Sequence, residues 1–260
     1  MGWIVNKRKV NDNMSVAVIE IKDIDDNLSK LIDNLIISIC YGRNSIDYDL
    51  NYIKKQLYNN LTKGGKVTSD VKRGAIAEFF IHIYLNSNHF KQECFYLNLE
   101  EPKSIKKGFD GFYSFHDEEW IMESKSGSSS TVNVSHKGKV EEAYTDLKKK
   151  FSSKENENDP WRNAYMHAGH EDLTTNESIK SRLRECAKKF AKNEPIDISN
   201  YNIIPASTIY IVDNSYTIPS VDVLINDVSQ AIKKFEHKEI LVICVTQHSV
   251  DIFVEYLRKA

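Results

Sequence analysis

Gly108-Phe109-Asp110-Gly111-Phe112-Tyr113-Ser114-Phe115, followed by Trp120-Ile121-Met122-Glu123-Ser124-Lys125, is the stretch that decides how the chain is read. Residues 109–115 are rich in aromatics and residues 119–125 alternate polar with apolar, so each predicts a short strand. His116-Asp117-Glu118-Glu119 between them is polar and short enough for a hairpin. With Asp117-Glu118 as a two-residue turn, Asp110 stands opposite Lys125 and Phe112 opposite Glu123. Side chains alternate faces along a strand, and directly paired residues share a face. Asp110, Glu123 and Lys125 then emerge together on one side of the hairpin. A one-residue slip would send Asp110 to the other side, so the grouping depends on the turn.

Two carboxylates and an ammonium on a strand pair suit a hard divalent cation. Mg²⁺ takes carboxylate oxygens, keeps some of its waters and leaves positions for a substrate phosphate. Such a cation offsets charge on phosphorus-bound oxygens and makes hydroxide available near neutral pH. Lys125 could orient the attacking water or offset developing negative charge. Glu-X-Lys is also a common tripeptide on exposed strands, so it points to chemistry only together with the preceding Gly-Phe-Asp-Gly strand.

Asp110 followed by Glu123-Ser124-Lys125 resembles the PD-(D/E)XK nuclease superfamily, in which an acidic residue on one strand precedes Glu/Asp-X-Lys on the next. The pattern departs at the proline, where this chain has Phe109. The resemblance implies that Asp110 and Glu123 are metal ligands, with the Ser124 carbonyl as a further one, and that Lys125 is the catalytic lysine. It also implies a helix before the hairpin carrying a glutamate that faces the metal. Glu78 takes that place, in Arg73-Gly74-Ala75-Ile76-Ala77-Glu78-Phe79-Phe80-Ile81-His82, a helix apolar nearly all round. A carboxylate in such a helix must be paired, protonated or metal-bound. Its bland reading is a pair with Lys72, Arg73 or His82. The paired N-terminal helices, the Arg-Gly-x-x-x-Glu helix and the Gly-Phe-Asp-Gly strand running to Glu-Ser-Lys together are similar to the HamA family. That family is the nuclease component of Hachiman anti-phage systems and acts with a helicase.

Before this region, residues 3–10 and 15–21 predict two strands around Asn11-Asp12-Asn13. Helical spacing follows over 25–40 and 47–61, with Gly64-Gly65 as a stop. These 66 or so residues read as strands and framing helices packed on a nuclease-like core of 67–260, without chemistry of their own. Residues 90–99 predict a further strand. After Lys125, Ser126-Gly127-Ser128-Ser129-Ser130-Thr131 is a hydroxyl-rich loop able to approach a phosphodiester backbone. A helix over 135–151 follows, with Lys137 and Lys139 read as the end nearest the site and Lys148-Lys149-Lys150 as the far end. His167 and His170 have no acidic or cysteine partner fixed by sequence, which favours packing over a metal role. The helix over 174–192 carries Lys180, Arg184 and Lys188 among its cations, a candidate phosphate-binding face together with Lys137 and Lys139. Apolar strands at 208–212 and 239–246, each followed by a helix, predict buried, parallel pairing.

A formal charge of −2 over 260 residues excludes a strongly basic nucleic-acid binder, so any such surface is local. The four cysteines are widely spaced, without a CxxC, which argues against a zinc knuckle or a disulfide framework. No apolar run is long enough for a membrane span and no signal-peptide pattern is present, which points to the cytoplasm. There is no P-loop, so ATP-driven work would fall to a partner.

The expected fold is α/β: a restriction-endonuclease-like mixed central sheet flanked by helices, with an N-terminal strand and helix extension. The expected function is Mg²⁺-dependent hydrolysis of DNA, with Mn²⁺ able to substitute and a helicase as partner. The rivals are a stand-alone, homodimeric restriction endonuclease and a binding protein that keeps the fold without catalysis.

Overall fold

His116 and Asp117 both adopt positive φ, 50° and 62°, as the central residues of a tight hairpin turn of the primed type require. Aspartate and histidine tolerate this left-handed region better than glutamate does. The turn therefore falls one residue earlier than Asp117-Glu118. It joins β4 (Gly111–Phe115) to β5 (Glu118–Ser128), with Phe115 opposite Glu118 and Gly111 opposite Met122. Phe112 faces Ile121 instead of Glu123, and continuing the register brings Asp110 level with Glu123 instead of Lys125. The correction moves partners within the ladder by two residues, so the side chains of β4 keep their expected faces, while Asp110 lies before β4 and outside the ladder.

A computed structural model describes residues 2–45, 47–62, 68–97, 108–154, 158–212 and 216–259. The Gly64-Gly65 stop, the polar stretch 100–107 and the end of the strand expected at 90–99 lie outside the described residues. The remaining strands are β1 (Trp3–Asn11), β2 (Met14–Ile21), β3 (Lys91–Gln92), β6 (Asn202–Tyr210) and β7 (Ile240–Gln247). All seven form one mixed sheet in the order β1-β2-β7-β6-β5-β4-β3. β5, β6, β7 and β2 run parallel in succession, and the β1–β2, β4–β5 and β3–β4 pairings are antiparallel. β6 and β7 are buried along their whole length, the polar Asn202, Ser207, Thr208, Thr246 and Gln247 included. The strand expected at 208–212 instead begins at Asn202 and ends at Tyr210. The N-terminal strands are continuous with this sheet through β2 and β7.

Among the described residues, the strand expected over 90–99 is limited to β3. Beyond it the backbone finds other partners: the Tyr96 N–H donates to the Ile39 carbonyl, and the Phe95 N–H to His167 Nδ1. Gln92 adds bonds from its amide to the carbonyls of Ile39 and Cys94. A second strand ladder is not needed to satisfy this segment.

Helices cover both faces. On one lie α1 (Asp26–Tyr41), α2 (Leu50–Thr62), α3 (Ser69–Ser87) and α8 (Asp251–Arg258), packed on Tyr113, Trp120, Met122, Ile204 and Ile243. On the other lie α4 (His136–Lys150), α5 (Pro160–Ala168), α6 (Glu177–Ala191) and α7 (Val221–Ile232), packed on Phe112, Ile121, Ile203 and Val242. α1, α3 and α4 each start at a side-chain cap, Asp25, Thr68 and Ser135, whose oxygens accept backbone N–H groups. Ile121 and Met122 belong to opposite cores, and this assigns the rest of β5. Glu123 and Lys125 share the face of Ile121, under α4.

Candidate active site

α4 runs antiparallel to β5 across the sheet. Its Lys139 stem lies against Gly127, Asp146 reaches Lys125, and Lys150 reaches Glu123. These helix positions recur at seven and four residues and so lie on one side of α4. Lys125 Nζ is 3.1 Å from Glu123 Oε1 and 2.8 Å from Asp146 Oδ2. Lys150 Nζ donates to Glu123 Oε2 and, at 2.8 Å, to the Gly108 carbonyl. The helix end expected to be remote is thus the end on the carboxylate.

Asp110 lies just before β4, where the ladder with β5 stops at Gly111 and Met122. Its carboxylate takes the place of a strand partner. Oδ2 accepts the Ser124 N–H at 2.9 Å and the Ser124 hydroxyl at 3.1 Å. Asp110, Glu123 and Lys125 are therefore brought together. The contacts that Ser124 makes with Asp110 come from its N–H and hydroxyl.

Glu123 is 3% exposed. Burial raises its pKa and the Asp110 charge adds to the rise, against the pull of Lys150 and Lys125. For Lys125 burial favours the neutral amine, but Glu123, Asp146 and Asp110 outweigh it and raise the pKa above the ordinary lysine value. Asp146 is lowered, since Lys125 and Lys149 together outweigh its burial. Lys125 is thus a cation throughout the neutral range, suited to orienting and to charge stabilisation rather than to removing a proton.

Among the described residues no three His, Cys, Asp or Glu side chains stand close enough together to hold a metal ion. Two carboxylates are still a fitting donor set for Mg²⁺, which commonly takes one or two from the protein and completes its shell with water and phosphate. Asp110 and Glu123 supply hard oxygens, with Lys125 and Lys150 on Glu123 and Lys125 and Lys149 on Asp146.

Glu78 lies on α3, whose core packing is on the sheet face opposite Glu123. It lines a cavity of about 400 Å³ with Leu57, Leu61, Lys72, Ala75 and Tyr96. Lys72 pairs with Asp251, Arg73 with Asp70, and His82 Nδ1 meets the Tyr113 hydroxyl. Burial holds that hydroxyl well above its ordinary pKa, with Cys94 and then both Glu78 and Asp110 adding to the rise, so both carboxylates act on one buried group.

The basic residues separate. Lys137 is exposed, and Lys139 pairs with Glu142 at 2.7 Å. On α6, Lys180 pairs with Glu177, while Arg184 and Lys188 are exposed. The same helix holds Glu119 through Arg182, near the hairpin turn and about 20 Å along β5 from Lys125. His167 accepts the Phe95 N–H, and His170 accepts that of Asp172. Sequence reasoning missed Asp146 and Lys150. Their signal was present, since both flank the buried stripe of Val140, Ala143 and Leu147 at helical spacing.

No curated protein and no solved structure matches the chain. The family model HamA matches residues 3–260, nearly the whole length. This agrees with the Arg-Gly-x-x-x-Glu helix, the Gly-Phe-Asp-Gly segment and the Glu-Ser-Lys strand that the fold sets around one sheet. The chain belongs to the HamA family, which ties it to Hachiman anti-phage defence.

Proposed function

We propose that the protein is a divalent-metal-dependent nuclease that hydrolyses DNA phosphodiester bonds, working with a helicase partner. The observation that carries this reading is the convergence of Asp110, Glu123 and Lys125 where β4 ends beside β5. Asp110 and Glu123 would hold Mg²⁺ or Mn²⁺, with the Ser124 carbonyl as a further donor and Glu78 supporting from α3. The ion supplies Lewis-acid stabilisation of phosphate charge and a nucleophile at neutral pH. Lys125, fixed between Glu123 and Asp146, orients the attacking water and offsets charge that develops on the phosphate. Glu123, held by two ammonium groups, keeps a single orientation toward the reacting centre.

DNA contact is assigned to Lys137 and Lys139 on α4 and to Lys180, Arg184 and Lys188 on α6. Side chains of this type neutralise phosphates without reading sequence. The helicase assignment rests on family membership and on the lack of a P-loop in the sequence.

The test is incubation of the purified chain, alone and with its neighbouring helicase, with plasmid and linear DNA and Mg²⁺ or Mn²⁺. Cleavage that EDTA and Glu123→Ala both abolish supports the reading. Metal-dependent cutting of one short site by the chain alone would favour a stand-alone restriction enzyme. Silence with and without the helicase would leave a binding protein.

A further inference from the structure

Lys150 has no role in the Glu-X-Lys pattern, yet it is built into the site. Its ammonium bridges Glu123 Oε2 and the Gly108 carbonyl, and its side chain is 17% exposed. Glu123 already has Lys125 on its other oxygen, so Lys150 is more than the carboxylate needs for one ion pair. Both oxygens that Lys150 holds flank the Asp110–Glu123 pair, Gly108 lying two residues before Asp110. Ammonium and a hard divalent cation seek the same ligands, oxygen atoms bearing negative charge or a carbonyl dipole.

We propose that Lys150 is a positioning residue that acts as a resident counter-cation. It neutralises the carboxylate pair and competes with the divalent ion for it. The inference rests on the metal reading above. Lys150 belongs to the last turn of α4, where the negative end of the helix dipole offers its ammonium an alternative position. It can therefore withdraw from Glu123 without being left uncompensated, and a phosphate backbone entering the site would draw it further. Metal loading would then be weak in the resting protein and stronger once DNA is in place.

The test is Mn²⁺ affinity in the absence of DNA, read as free Mn²⁺ by electron paramagnetic resonance, for the wild type, Lys150→Gln, Lys150→Met, Lys150→Arg and Glu123→Ala. Thermal melts establish that each variant is folded. Lys150→Gln and Lys150→Met should bind Mn²⁺ about tenfold more tightly, the lower end of what one neighbouring charge does to an ionic equilibrium. Lys150→Arg, which keeps the charge, should stay near the wild type, and Glu123→Ala should lose binding. A purely structural role predicts equal or weaker binding in both neutral variants, and that result overturns the inference while leaving the metal reading intact. Absence of Mn²⁺ binding in every protein, Lys150→Gln included, overturns both.

Discussion

Asp110 is held to Ser124 by two hydrogen bonds, from the Ser124 N–H at 2.9 Å and its hydroxyl at 3.1 Å, both to Oδ2. The carboxylate caps the point where β4 leaves β5, and its charge helps to raise the pKa of the buried Glu123. Asp110→Asn should keep most of the fold and remove the charge. We expect cleavage to drop by about a hundredfold or more, the size of losing one electrostatic stabiliser, and Mn²⁺ binding to weaken. Ser124→Ala removes only the hydroxyl bond and should cost about 1 kcal/mol of stability. Cleavage rates and thermal melts of the two variants check this.

Glu123→Gln should change the pH dependence of stability. The folded-state pKa of Glu123 is raised. Such a group favours the fold at pH below the ordinary glutamate value, and this contribution is lost as pH rises through the folded value. The non-ionising variant should therefore gain stability relative to the wild type as pH rises above the ordinary glutamate value of 4.5, while losing activity. Denaturant melts across that range measure it. A gap between the two proteins that does not change with pH would contradict the raised pKa.

His136 is wedged between the hydroxyls of Ser207 at 2.8 Å and Thr246 at 3.1 Å, and burial pushes its pKa down to about 3. A histidine kept neutral in the fold stabilises it above its ordinary pKa of 6.5, and that stability is lost as pH falls below this value. His136→Gln should flatten the acid side of the stability profile by up to about 1.4 kcal/mol per pH unit. Unfolding followed between neutral pH and pH 4 gives the slope.

Lys125 is held by two carboxylates, Glu123 Oε1 and Asp146 Oδ2. Lys125→Met should abolish cleavage and leave Asp146 without its nearest cation. Because Glu123 retains Lys150, the stability loss should stay near 1–3 kcal/mol, below that of stripping a buried charge of every partner. Lys125→Arg should not restore activity, since the planar guanidinium cannot reproduce a point charge in this space. Single-turnover cleavage rates with melts decide it.

Arg184→Ala with Lys188→Ala should leave the melting temperature within the range of surface changes, because both side chains are exposed. DNA affinity should fall for every sequence, with the salt slope reduced by about one per cation removed. Fluorescence anisotropy against salt tests it. Unchanged affinity would move the interface off α6.

Much of this arrangement was legible in the linear chain because it depends on short-range periodicity. The two-residue alternation of β5 put Glu123 and Lys125 on one face whatever the register. Asp110, outside the ladder, joins them through its hydrogen bonds to Ser124. The helical stripe of 28, 32 and 36 and the apolar run of β7 likewise carried their own burial, whereas β6, interrupted by Asn202, Ser207 and Thr208, extends well before the strand expected at 208–212. The strand expected at 90–99 is cut short at β3 because the N–H groups of Phe95 and Tyr96 turn to His167 and Ile39, tertiary partners that no local pattern announces.

The sequence by itself determined most of the secondary elements, the mixed α/β class and the shared face of Glu123 and Lys125, since local propensity and pleat decide those; Asp110 joins them through its bonds to Ser124. Only the tertiary structure decided that α4 returns antiparallel over β5. That path sets Asp146 on Lys125 and Lys150 on Glu123, while α3 carries Glu78 on the other face of the sheet. Ion pairs across 21 and 27 residues depend on where a helix lands. The core packing of two sheet faces decides that, and no local pattern encodes it.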